Sequence, residues 1–331
     1  MRSLQVLSLV LLMLLSAAAP WSVGAQGNQI IKSGTYFLYV ARTNESVNES
    51  SLLSALGSTN MFFSLRRNGE PVFVSVYGNG SVEFRVLGVE NGTATVSLVV
   101  SGTDAVITYA GNITPFWSGR DVISSMASGN VTRVAVRSFE LGSVYRLNAL
   151  TGTVYDLKGR SYGRTLLFYS RDVVPGRALF TAPDGLKVSV SRVTTLNSTV
   201  VTYYGRFLPP LIQVVTTPYR ATMANITASG RSVLIYDPGS GVLLSYFGFS
   251  WADFRAAGFS LFGGIDRSAL SAMGKEEMFA PGLVLADTNV LGGGSTVRYS
   301  PETSPLAYIY LALIAIAGVF ALLEVRRWEG S

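Results

Sequence analysis

The chain has 331 residues, 48% apolar and 14% charged, with a formal charge of +6 at pH 7. That apolar content excludes a disordered tail. The absence of Cys and His excludes a zinc finger, a thiol nucleophile, a Ser–His–Asp triad and an imidazole-held metal. The 26 basic residues, nearly all Arg, are scattered rather than gathered into the stripe that nucleic-acid binding needs, so no nucleic-acid partner is expected.

The N-terminus reads as a secretory signal over residues 1–25. Arg2 is the only charge before an apolar run from Leu4 to Ala19. Pro20 and the triplet Val23, Gly24, Ala25 then place cleavage after Ala25. Beyond it, residues 26–304 form an extracytoplasmic part with no cysteine to cross-link, large enough to be stable without disulfides. Asn-x-Ser/Thr occurs at Asn44, Asn48, Asn79, Asn91, Asn112, Asn130, Asn197 and Asn225, eight of the thirteen asparagines. In an exported chain these are candidate glycosylation sites on exposed loops.

Between Met61 and Gly102 the pair Asn-Gly recurs at Asn68-Gly69, Asn79-Gly80 and Asn91-Gly92, the preferred composition of a type I′ hairpin turn. Apolar residues alternate with polar ones between the turns: Val82, Phe84 and Val86, then Ala94, Val96, Leu98 and Val100. The expectation is an antiparallel meander with glycans at the hairpin tips of Asn79 and Asn91. From Pro115 to Gly129 the pattern loosens. A short helix over Ser118–Ser128 is expected, with a lobe boundary near 115–130.

Strands resume at Val131–Phe139, Val144–Leu147, Thr153–Asp156, Thr165–Tyr169, Lys187–Val193, Thr199–Arg206 and Ser232–Asp237. Pro183-Asp184-Gly185 and Asp237-Pro238-Gly239 read as turns, with each glycine in the left-handed position.

Aromatics crowd the next segment: Tyr246, Phe247, Phe249, Trp251, Phe254, Phe259 and Phe262. They are expected to form a strand and a short helix that plug the open side of a sheet. The sharper alternative is a ligand-gripping lid over a lipid or another apolar molecule. Asp266 is an expected N-cap for a helix over Arg267–Met273. Residues 291–304, rich in Gly, Ser and Pro, read as a stalk.

Leu306 to Leu323 is an uncharged apolar run whose helix covers roughly 27 Å, close to the hydrocarbon thickness of a bilayer. A transmembrane helix is therefore expected at 305–323, with Tyr308 and Tyr310 at the headgroup level. Arg326 and Arg327 hold the tail, 324–331, in the cytoplasm.

A signal, a glycosylated β-rich exterior without cysteines, and one C-terminal span with a short basic tail together resemble uncharacterised archaeal cell-surface single-pass membrane glycoproteins. The resemblance is one of architecture and implies no functional residues.

Catalytic motifs are scarce. Gly159-Arg160-Ser161-Tyr162-Gly163 fits the Gly-x-Ser-x-Gly elbow letter for letter. That motif needs a strand–turn–helix corner and a proton-accepting histidine, so a hairpin is expected instead. A Ser–Lys dyad would draw on Lys32, Lys158, Lys187 or Lys275, yet Lys158 and Lys187 flank expected turns, where water keeps them charged. Glu276 and Glu277 read as solvated helix surface, and Gly263-Gly264 and Gly292-Gly293-Gly294 as flexible connectors rather than phosphate loops. No metal and no cofactor is expected.

The fold class expected is mainly β, an antiparallel meander, sandwich-like or curved-sheet ectodomain with a few short helices and one C-terminal transmembrane helix. The expected function is non-enzymatic: a cell-envelope membrane glycoprotein presenting a binding or scaffolding domain. Its expected partners are the bilayer through 305–323, a membrane or envelope protein, and a lipid or glycan. Two other classes stay open, a carrier or sensor of an apolar ligand in a curved sheet and a carboxylate-dependent envelope hydrolase. Facing acids in a cleft would mark the latter.

Overall fold

The computed structural model of the chain describes residues 30–43, 59–67, 70–170, 172–223, 226–268, 277–280 and 282–291. The expected signal, the stalk beyond Leu291, the membrane span and the tail, together with Asn44, Asn48, the Asn68-Gly69 turn, Asn225, residues 269–273 of the expected second helix, Lys275 and Glu276, lie outside them. Among the described residues no helix is long and apolar enough to cross a membrane.

Three long strands dominate: β3 (Glu70–Glu90), β4 (Thr93–Ala110) and β6 (Val131–Asn148). Their alternation drives the arrangement. Ala94, Val96, Leu98 and Val100 are buried while Thr95, Ser97 and Val99 between them are partly exposed, so β4 presents one dry face from Ala94 to Gly102. The β3–β4 turn is the type expected, with Asn91 at φ 49° and Gly92 at φ 74°.

The remaining strands close a ring. β1 (Tyr36–Ala41) pairs with β3 on one side and with β20 (Leu283–Thr288) on the other. From β20 the order runs through β17 (Leu243–Phe247), β16 (Val233–Tyr236), β13 (Leu211–Thr216) and β10 (Lys187–Leu196). It continues through β9 (Ala178–Thr181), β8 (Ser161–Arg164) and β7 (Thr153–Tyr155) to β6, β4 and back to β3. Every pairing in the ring is antiparallel, giving a mainly β, barrel-like sheet with very little helix.

The end that carries the Asn91-Gly92 turn is called the base here, and the other end the crown. Beyond the crown β3, β4 and β6 continue as a flap. There they are joined by β2 (Met61–Arg67), β18 (Phe262–Gly264) and β5 (Val122–Ser128). The bend into the flap is built from three local features. Gly78 has φ 154° beside a register shift, and a Cβ there would lie 2.4 Å from the Asp104 carbonyl oxygen. Asp104 itself sits at φ 47°. Buried Asn60 then ties the bend to β1, donating from Nδ2 to the carbonyls of Ala41 (2.8 Å) and Gly78 (2.6 Å) and accepting from the Gly78 amide (2.9 Å).

Several local expectations fail for identifiable reasons. Asn79-Gly80 is not a turn. It lies inside β3, paired to Thr103 and Gly102 of β4, and Gly80 pairs with Ala41 of β1 as well. Pairing on both sides outweighs the local turn preference. Ser118–Ser128 is a short 3-10 turn, Gly119–Asp121, followed by β5 rather than a helix. Val122 and Ile123 are β-branched, and β5 folds onto β6 through a two-residue turn in which Gly129 has φ 58°. Ile123 and Met126 thereby pack against Tyr77, Val106 and Ala135 on the outer face of the flap.

Val131–Phe139 and Val144–Leu147 are one continuous strand, β6. β4 pairs with it from Thr93↔Asn148 to Ala110↔Val131, so residues 111–130 form an excursion from an unbroken sheet.

Thr165–Tyr169 makes only an isolated bridge, Phe168 to Val242. Thr199–Arg206 divides into β11 (Thr199–Val201) and β12 (Arg206–Phe207), which pair with each other. The turn at Pro183-Asp184-Gly185 is as expected, with Gly185 at φ 86°. In the one after Asp237 the left-handed glycine is Gly241 (φ 77°), not Gly239. There the Asp237 Oδ2 accepts from the Ser240 amide at 2.8 Å.

Candidate functional site

The aromatic segment fills the barrel. After β17, Trp251 leads into α1 (Ala252–Ala256), whose Ala252, Asp253, Phe254 and Ala256 are all buried. Phe254 stacks on Phe262 at 3.8 Å with an interplanar angle of 4°, and Trp251 lies 5.3 Å from Phe84 and 4.9 Å from Tyr246. Phe63 from β2 closes the cluster against Phe259 (5.8 Å) and Phe262 (6.0 Å). Trp251, Phe254, Phe259 and Phe262 are core. Phe249 is half-buried against Tyr219, and Phe247 is exposed. The plug is pinned to the wall by Ser143 Oγ donating to the Ala257 carbonyl (2.6 Å) and by Arg255 donating to the carbonyls of Thr181 and Ala182. Gly263-Gly264 is not a connector. It is part of β18, where a Cβ on Gly263 would meet the Gly248 carbonyl oxygen at 2.6 Å, so glycine is needed for the close approach.

One carboxylate is sealed into this core. Asp253 is fully buried, and its Oδ1 accepts from the Tyr145 hydroxyl at 2.7 Å. Burial pushes its carboxyl up to about 6, against the opposing influence of Tyr145, Thr165, Trp251 and the Leu166 amide. The Asp253 Oδ2 and the Trp251 Nε1 are both enclosed without a well-aligned hydrogen-bond partner. Burial likewise holds the hydroxyls of Tyr39, Tyr145 and Tyr236 well above the usual tyrosine range. A void of about 10 Å³ beside Thr165, Leu166 and Tyr236 is the size of a single water.

The open concavity lies elsewhere, where the flap leaves the barrel. It is a groove of about 740 Å³. Gly80 and Gly102 form its floor, and the excursion after β4 brings Phe116, Trp117 and Asp121 to one wall. Asn79, Ser81, Ser101, Thr103 and Ser138 supply amide and hydroxyl groups, while Arg42 and Glu140 stand at the rim. Local contacts fix this wall. The Glu140 amide donates to the Phe116 carbonyl (3.1 Å), and the Asp121 amide to the Ser118 carbonyl (3.0 Å). Phe116 packs against Phe139 (5.6 Å), Phe63 (5.7 Å) and Trp117 (4.9 Å), and Trp117 also meets Tyr109 (6.0 Å). Arg42 lies 4.4 Å over the Tyr203 ring. Of these residues only Asn79 belongs to the sites expected from sequence. The aromatic pair Phe116-Trp117 inside an otherwise polar segment was the available signal for the rest.

The other candidates fall as follows. Asn91, Asn112, Asn130 and Asn197 are exposed at turns or loops, whereas Asn79 is half-buried within a strand paired on both sides. Asn112 and Asn130 are spatial neighbours, since the Gly111 amide donates to the Asn130 carbonyl at 3.0 Å. Ser161 of the elbow-like string opens β8 after the Asp156–Arg160 turn, and a strand follows where the elbow would need a helix. Lys32, Lys158 and Lys187 are exposed. Glu277 begins a strand, β19 (Glu277–Phe279), rather than standing on a helix. Asp266 precedes a helical start at Arg267, and its carboxylate accepts from the Arg42 amide (2.8 Å) and the Tyr203 hydroxyl (3.1 Å). Comparison with protein-family models, curated proteins and solved structures finds no match to this chain.

Proposed function

We propose that this chain is a membrane-tethered glycoprotein of the cell envelope whose β-rich domain lies outside the membrane and presents a binding surface, without a catalytic step. The observation that carries the reading is the separation of two ends. β1 begins and β20 finishes at the base, where Asn289 Nδ2 donates to the Gly34 carbonyl at 2.9 Å, so the described chain enters and leaves together. The groove opens at the crown, away from that exit.

The stalk expected over 291–304 would reach roughly 20 Å if it behaves as a Gly/Ser-rich linker. Through it, a span at 305–323 would hold the base toward the bilayer and leave the crown free. Of the eight exposed large apolar side chains among the described residues, Leu87, Val89, Leu150, Val174 and Leu208 lie on strands and connections toward the base and Leu157, Leu186 and Phe247 toward the crown, so the larger share sits at the end that would face a membrane. Confinement to a plane raises the effective concentration of weak lateral partners. The aromatic segment supports packing rather than an apolar-ligand lid, because its rings contact one another and the barrel wall.

The test is photo-crosslinking from single positions in intact membranes. A crosslinker at Ser138 in the groove should yield a reproducible adduct, and one at Leu157, outside the groove, should not. Equal or absent adducts at both positions would refute the binding-surface reading. A carboxylate-dependent hydrolase has one observation in its favour, since Asp121 and Glu140 line the same groove. New reducing ends released from envelope polysaccharide, and lost in Glu140→Gln, would replace the non-enzymatic reading.

A further inference from the structure

We propose that the groove at the barrel–flap junction binds a neutral saccharide, with Trp117 as its stacking platform. This deepens the preceding reading and rests on it for biological meaning, but the site is argued from its own chemistry. A volume of about 740 Å³ falls within the 300–1,000 Å³ typical of small-molecule sites.

The lining decides the ligand class. An acyl chain would desolvate Asn79, Ser81, Ser101 and Ser138 without offering them a partner, at a cost for each buried polar group. An anion would meet two carboxylates, Asp121 and Glu140, against the single cation Arg42. A sugar presents apolar C–H faces and hydroxyl edges in alternation. Its faces suit the rings of Trp117 and Phe116, and its hydroxyls can donate to the carboxylates and exchange hydrogen bonds with the serines.

The platform is preorganised. Trp117 is held between Tyr109 and Phe116, and Phe116 in turn by Phe139 and Phe63. Depth comes from the glycine floor. A Cβ at Gly102 would sit 2.5 Å from the Phe139 ring, so that ring can pack across residue 102 only because it has no side chain. Across the floor Ser81 Oγ and Ser101 Oγ pair at 2.8 Å, leaving one hydroxyl hydrogen of the pair and their lone pairs for a ligand.

The test uses the full chain in detergent, titrated calorimetrically with cellotetraose, chitotetraose and mannotetraose, and with a sulfated heparin tetrasaccharide for comparison. At least one neutral tetrasaccharide should bind, more tightly than the sulfated one. Trp117→Ala should weaken it by about tenfold or more, the equivalent of one lost aromatic contact. Because Trp117→Ala removes packing as well, Thr103→Trp provides the second arm. Residue 103 is exposed at the groove, so the bulky ring should block binding while the melting temperature stays unchanged.

No binding of any neutral sugar by the folded chain, binding unaffected by both variants, or preference for the sulfated sugar would each overturn the proposal. Crosslinking that fails while neutral sugars still bind would overturn the envelope reading and leave the site standing. The reverse result would do the opposite.

Discussion

Replacing Asp253 with Asn is expected to stabilise the protein at neutral and alkaline pH. The carboxyl is raised from 3.8 to about 6 in the folded state, principally by burial. That rise corresponds to roughly 3 kcal/mol lost once the group is ionised. The sign follows from the direction of the shift. A carboxyl raised on folding binds its proton more tightly in the native state, so its contribution is full below about pH 4 and is lost as pH rises through about 6.

Asparagine removes the ionisation but keeps the shape. Its amide oxygen can face the Trp251 and Leu166 N–H groups, and its NH₂ can donate to the Tyr145 hydroxyl, which accepts as well as donates. At pH 8 the variant should therefore be more stable by about 2–3 kcal/mol, a rise in melting temperature of several degrees at about 2–4 °C per kcal/mol. At pH 4 the two proteins should melt together within about 1 kcal/mol. Thermal denaturation of both across pH 4–8 provides the measurement. A variant less stable than the parent at pH 8, or a difference that does not change with pH, would refute the reasoning.

Other perturbations have equally definite outcomes. Asn60→Ala should cost about 2–4 kcal/mol in denaturant unfolding, because two carbonyls and an amide at the β1–β3 bend lose their buried partner. Phe254→Ala should cost about 3–5 kcal/mol by opening a cavity between Trp251 and Phe262. In glycan mapping by mass spectrometry of the expressed protein, Asn130→Gln should remove one glycan and Asn79→Gln none, if transfer follows folding. A glycan at Asn79 would show that the sequon is modified before β3 pairs.

The long strands were legible in the chain wherever local and long-range preferences agree. Asn91-Gly92 makes a tight turn because β3 and β4 pair up to its edges, and the Ala94–Val100 alternation maps directly onto the barrel interior. Asn79-Gly80 carries the same turn composition but sits where β1 and β4 claim both edges of β3, and only the tertiary pairing distinguishes the two cases. The β5 hairpin was hidden differently. Gly129-Asn130 is itself a hairpin pair, yet the weak alternation of Val122–Ser128 reads equally as a helix face.

The aromatic plug was legible from composition alone, since so many rings in one segment need a core to fill. Asp253 was not, because nothing in the neighbouring residues shows that α1 turns inward toward Tyr145 on β6. The groove was still less legible. Its residues come from β1, β3, β4, β6 and the 111–121 excursion, and Ser101 meets Glu140 only through the register of β4 on β6. No local spacing encodes such a site.

The most direct measurement is surface proteolysis of living cells compared with inside-out vesicles, followed by mass mapping of the fragments. The expected result is cleavage within 26–304 from the outside, at exposed turns such as Leu157–Gly159, with that region protected in the vesicles and the C-terminal 324–331 cut only there. Protection on whole cells with digestion of the domain in inside-out vesicles would contradict an outward-facing, C-terminally tethered barrel.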